Sequence, residues 1–141
     1  MSKLFDVTSG KVCIGSGVVL CGGSTPQELT LAGLVFTREF DMETGWVFRT
    51  TGPQDLMGHI VQLSLGFQYD RLKRVSFGFA ENPNLDMDDL FKKHEAFLYQ
   101  ELGAPTHKSK HQTLYQYAWG EIVSEMDPRG SGCYILVTWN A

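Results

Sequence analysis

Apolar and polar positions alternate along most of this chain, and in two stretches the apolar period lengthens to that of a helix. Leu4-Phe5-Asp6-Val7 and Lys11-Val12-Cys13-Ile14 flank Thr8-Ser9-Gly10, which predicts a hairpin around a glycine turn. Thr25-Pro26-Gln27-Glu28 follows as a helix start, with Thr at the cap, Pro at the first helical position and Glu three residues after Thr; Gly33 is a stop. Val35 to Phe40 and Trp46 to Thr50 are aromatic and β-branched runs joined by Asp41-Met42-Glu43-Thr44-Gly45, a second hairpin. Gly52-Pro53 is expected to punctuate the chain. In residues 59 to 69, Val61, Leu63, Leu65, Phe67 and Tyr69 share one face of a long strand. Asp70-Arg71-Leu72-Lys73 turns it, and Val75, Phe77 and Phe79 alternate on the return.

Asn82-Pro83-Asn84 breaks that pattern. Met87, Leu90, Phe91, His94, Phe97, Leu98 and Leu102 then recur at helical spacing, so a main helix is expected over 86–102, stopped by Gly103. After a polar loop, Leu114 to Ser124 and Cys133 to Trp139 read as a closing strand pair joined through Asp127 to Gly132. The resulting expectation is one α+β domain over residues 1–141: a mostly antiparallel sheet of about eight strands with two helices packed on one face. The order strand, strand, helix, strand, strand occurs over 4–50 and again over 59–139, as a duplicated ββαββ unit would produce.

The composition fits such a domain. The 141 residues are 43% hydrophobic and 20% charged, too apolar for a disordered chain. The longest apolar run, Val18 to Cys21, is far short of a membrane span, and Asp6 interrupts the apolar stretch a secretory leader would need. A net charge of −4 without a Lys/Arg run argues against nucleic acid and for a basic protein surface as partner. Cys13, Cys21 and Cys133 are odd in number and lack CxxC spacing, which reads as reduced, buried thiols in a cytoplasmic protein.

No motif specifies a reaction or a cofactor. His107 and His111 are four apart but lack the helix and the intervening Glu of a zinc protease site, so no metal is expected. There is no GxSxG elbow and no P-loop, and Gly15-Ser16-Gly17-Val18-Val19-Leu20 departs from the dinucleotide pattern, reading instead as a bend. The acidic residues fall into two groups. Glu81, Asp86, Asp88 and Asp89 surround the start of the main helix, where capping and the helix dipole favour carboxylates and where they also form a patch for a basic partner. Glu39, Asp41 and Glu43 lie along the second hairpin, beside Trp46, an aromatic anchor if exposed.

Phe97-Leu98-Tyr99-Gln100-Glu101-Leu102-Gly103-Ala104-Pro105, then Tyr117-Ala118-Trp119-Gly120-Glu121-Ile122, Asp127-Pro128-Arg129-Gly130 and Ile135 to Trp139 form a pattern that is similar to small bacterial immunity proteins of secreted polymorphic toxins. The resemblance covers the last third of the chain and implies a non-enzymatic module that occludes the active site of one cognate toxin. With it, Asp86, Asp88, Asp89, Glu43 and Trp46 are the expected contacts. The alternative is a small-molecule-binding domain or enzyme with a pocket between helix and sheet, using His59, Cys13 or His94. A third reading is homo-oligomerisation through an open sheet edge.

Overall fold

The computed structural model describes residues 4–15, 17–79, 86–127 and 132–140. Glu81, the Asn82-Pro83-Asn84 break and Pro128 to Ser131 of the last loop lie outside these residues. Among the described residues, eleven strands and two helices follow in the order β1 (Phe5–Asp6), β2 (Lys11–Cys13), β3 (Val19–Leu20), α1 (Pro26–Leu31), β4 (Phe36–Asp41), β5 (Trp46–Leu56), β6 (His59–Gln68), β7 (Arg71–Phe77), α2 (Met87–Leu102), β8 (His107–Lys108), β9 (Gln112–Tyr117), β10 (Gly120–Met126) and β11 (Cys133–Trp139). β1, β2 and β3 make a small sheet; the other eight form a wholly antiparallel sheet in the order β4-β5-β6-β7-β11-β10-β9-β8.

The two helices form where the sequence places them. Thr25 Oγ1 accepts the Glu28 N–H at 3.2 Å and contacts Glu28 Oε1, and Pro26 opens α1 without wasting a donor. Asp86 caps α2 through the Asp89 N–H at 2.8 Å, and Gly103 ends it at φ 83°, a conformation that glycine adopts without strain.

One face of the large sheet is the core. Tyr115, Ile122, Val137, Val75 and Leu65 are successive register partners across five strands, and all are buried. α2 lies over β10 and β11 on this face with Phe91 and Leu98 inward, and α1 adds Leu29 to the same cluster. The small sheet seals the remainder. Trp139 Nε1 donates to the Gly10 carbonyl at 2.7 Å and Trp119 Nε1 to that of Val7 at 2.8 Å, tying the last strands to the first turn of the chain.

Four expectations are revised. The two halves are not equivalent: three strands precede α1 and four follow α2, and β1 and β2 belong to the small sheet with β3, whereas β6 and β7 sit in the middle of the large one, so a duplicated ββαββ unit is not supported. Gly52-Pro53 does not end a strand. β5 runs through it with a register shift between Thr50 and Pro53, because Thr51 Oγ1 accepts the Leu63 N–H at 3.1 Å and replaces the missing ladder bond. Tyr69 leaves the apolar face: Tyr69 and Asp70, at φ 49° and 62°, form a two-residue turn that puts the ring outside. Leu114 to Ser124 is two strands, reversing at Ala118-Trp119, and a Cβ at Gly120 would collide with the Thr138 carbonyl oxygen.

Candidate partner-binding surfaces

The tip of the β4–β5 hairpin is built by local hydrogen bonds. Asp41 Oδ1 accepts the Glu43 N–H at 2.8 Å, Glu43 adopts φ 60°, and Gly45 at φ 94° lies against the Tyr69 ring. The Tyr69 N–H donates to the Gly45 carbonyl at 2.8 Å, so the tip is fastened to the β6–β7 turn.

The register decides what surrounds Trp46. Phe40, Phe48, Gly66, Arg74, Thr138 and Glu121 are successive partners on the sheet face opposite the core. Trp46 stacks on Phe48 (5.8 Å, 12°), and the Arg74 guanidinium lies 4.7 Å from the Trp46 ring centre, an arrangement that rigidifies both. Gly66 makes this closure fit, since a Cβ there would stand 2.9 Å from the Phe48 ring and 2.8 Å from Arg74 Cγ. Trp46 is half-buried, and Phe40 beside it is exposed. Trp46 therefore sits on an aromatic, arginine-bearing surface, and Glu43 is exposed at the hairpin tip beside it.

Asp86, Asp88 and Asp89 are exposed at the start of α2, with the Asp86 carboxylate committed to the cap. They do not join the hairpin. Trp46 pairs with Gln68 where β7 begins, while α2 starts beyond the other end of β7, roughly 20 Å along the strand and on the core side of the sheet.

The Cys and His residues are distributed differently from the pocket expectation. Cys13 is exposed on β2, because its neighbour Val12 takes the inward position. His59 stacks on Phe79 at 4.2 Å, and His94 meets the same ring edge-on at 5.4 Å. His94 is wholly buried. Its Nε2 accepts the Phe79 N–H at 3.0 Å, so the imidazole proton sits on Nδ1 and faces Cys133 Sγ 3.6 Å away. Burial, with the charges of Lys93 and His59 behind it, holds His94 at about 4, and burial pushes the Cys133 thiol up to about 11. A thiol and an imidazole both neutral at pH 7 make a structural pair rather than an activated nucleophile. Sequence reasoning missed this pair, because 39 positions separate its members and no spacing rule links a strand cysteine to a helix histidine.

The cavities lie elsewhere. A cleft of about 700 Å³ between the last turn of α2 and the β1–β2 turn is lined by Phe5, Asp6, Tyr99, Leu102 and Tyr117, and contains neither His nor Cys. Among the described residues no group of three or more His, Cys, Asp and Glu side chains is placed to hold a metal ion. No helix among them is long and apolar enough to cross a membrane.

An α+β fold with one covered sheet face, and an aromatic hairpin on the other, is the architecture to be compared with known proteins. No protein-family model and no curated protein sequence matches the chain. Among solved structures, the chain is similar to one from the complex of Rhs1-CT with its cognate immunity protein RhsI1. The TM-score is 0.62 at 14% sequence identity, covering 96% of this chain and 86% of that one. At that identity the likeness is one of fold.

Proposed function

We propose that this chain is an immunity protein that binds one cognate bacterial toxin and neutralises it by covering its active site. The observation that carries this reading is the likeness in fold, along nearly the whole chain, to a chain of a toxin–immunity complex. It agrees with the resemblance drawn from the last third of the sequence. The mechanism is contact rather than chemistry, and it operates in the cytoplasm, where the toxin must be met.

The contact surface is the β4–β5 hairpin and the sheet face beside it. A standard interface buries about 800 Å² per partner and draws its energy from a few aromatic and arginine anchors at its centre. Trp46, Phe48 and Arg74 have that composition, and Glu43 supplies a rim charge for a basic toxin surface. Asp86, Asp88 and Asp89, at the far end and on the other face, steer the encounter without entering the same patch. A Cys/His-based enzyme is disfavoured by the two neutral partners of the buried pair.

The test is protection. Where the gene beside this one encodes a toxic C-terminal domain, cells producing that domain should survive when this chain is co-produced, and the two proteins should co-purify. Equal killing with and without this chain refutes the proposal.

A further inference from the structure

The two edges of the large sheet differ. β8 spans two residues, and its Lys108 is drawn to Glu95 at 3.1 Å, so this edge offers little ladder to another strand. β4 spans six residues and is open along its length. Val35, Phe40 and Met42, on or beside it, are 64%, 63% and 46% exposed.

The register fixes which backbone groups point outward. The Met42 N–H donates to the Trp46 carbonyl at 2.9 Å, so the pairs Phe40–Phe48 and Arg38–Thr50, two and four residues along, are the hydrogen-bonded ones. The N–H and C=O groups of Glu39 and Asp41 therefore point away from β5, toward the open edge. Their side chains lie on the core side of the sheet, in register with Arg49 and Val47, and Glu39 Oε1 meets Arg49 Nη2 at 2.7 Å.

A second copy of the chain is a poor occupant. Directly opposed residues in an antiparallel sheet share a face, so two β4 strands related by a two-fold axis set Arg38 against Arg38, Glu39 against Glu39, or Glu39 against Asp41 when centred on residues 38, 39 or 40. Each register opposes like charges. A strand from another protein, carrying Lys or Arg opposite Glu39 and Asp41, meets no such penalty and gains two charge pairs.

We propose that β4 receives an extended segment of the toxin as a ninth strand of the large sheet, with basic side chains facing Glu39 and Asp41 and an apolar one against Phe40. The inference rests on the immunity reading and names the contact through which it works. Main-chain bonds supply affinity in this mode, and alternate side chains supply selectivity.

Glu39→Pro removes one outward N–H while leaving the β4–β5 ladder bonds in place, and Glu39→Ala controls for the lost carboxylate. Glu39→Lys reverses a charge without touching the Asp41–Glu43 turn bond, and Glu39→Ala shares its loss of the Arg49 ion pair, which keeps the test decisive if the proline variant does not fold. Binding is measured by titration calorimetry against the inactivated toxic C-terminal domain encoded beside this gene. Glu39→Ala should bind within a few-fold of wild type, and Glu39→Pro and Glu39→Lys about ten-fold or more weakly. If the wild type does not bind the domain, the immunity reading itself fails. If both variants bind as tightly as wild type, the edge is not the contact although the immunity reading stands. A wild-type dimer in sedimentation that Glu39→Pro dissociates would give the edge to a second copy and overturn the proposal.

Discussion

His94 makes stability depend on pH in a window where a surface histidine would leave it unchanged. In the unfolded chain its imidazole titrates near 6.5, and in the fold near 4. Above about pH 6.5 neither state holds the proton, and between 6.5 and 4 only the unfolded state does, so stability is complete above this window and falls as the pH drops through it. The two and a half units correspond to about 3 kcal/mol, a large share of the roughly 5–15 kcal/mol that holds a domain together. Structure supplies the reason: a protonated Nε2 could no longer accept the Phe79 N–H, and the charge would lie in a wholly buried site. Urea unfolding followed by tryptophan fluorescence from pH 7.5 to 4, on the wild type and on His94→Gln, measures it. The glutamine carbonyl keeps an acceptor for Phe79 without titrating. The wild type should lose about 3 kcal/mol more than the variant across the window, because the carboxylates titrate alike in both. Parallel stability curves would show that His94 stays neutral for no energetic cost, and the reasoning would be wrong.

Two further outcomes separate structural from contact roles. Asp86→Ala should lower stability by about 1 kcal/mol, since it removes the acceptor for the Asp89 N–H, whereas Asp88→Ala should cost only about 0.3 kcal/mol of helix-dipole interaction and, on the proposed immunity reading, slow association with a basic toxin surface; equal melting shifts for both would contradict the capping assignment. Iodoacetamide at pH 8, followed by mass spectrometry, should label exposed Cys13 well before Cys133, whose thiol burial keeps protonated, and rapid labelling of Cys133 would contradict the neutral His94 pair.

The elements that sequence predicts well are those whose signal is local. The Thr25 cap, the Asp86 cap and the Gly103 stop each involve partners at most four residues away, and the alternation of Val61, Leu63, Leu65 and Phe67 needs no partner to be read. What was not legible depends on pairing. Nothing near Val19 announces that it joins β2, and nothing near Gly66 announces that Phe48 and Arg74 close over it. Trp46 stands out in the sequence by its type alone; its Phe48 and Arg74 neighbours follow only from a register set by two hairpins and the Gly66–Phe67 shift. The acidic residues illustrate the converse. Asp86 and Glu43 look alike as acidic loop residues, yet one is consumed by a cap and the other stands free of one, because three-residue spacing to a helical N–H exists at Asp86 alone of the two.

The likeness to the Rhs1-CT–RhsI1 structure, with most residues different over nearly the whole chain, has a physical basis in how this fold divides its work. The row Tyr115, Ile122, Val137, Val75 and Leu65 requires apolarity and summed volume, and many sequences meet that requirement. Position-specific demands include the caps, the Gly120 approach to Thr138, the Gly66 closure, the Thr51 and His94 bonds and the two tryptophan bonds to the first turn. None of these lies on the outward edge of β4. Arg38, Glu39 and Phe40 can therefore change without loosening the core, the freedom that a partner-specific edge requires. On the proposed immunity reading, exchanging them for residues of another pattern should alter which toxin is bound while leaving the unfolding midpoint within the small range expected of surface changes. A matching loss of stability would show that β4 is held by its side chains rather than by its ladder to β5, and would remove the basis for assigning it to recognition.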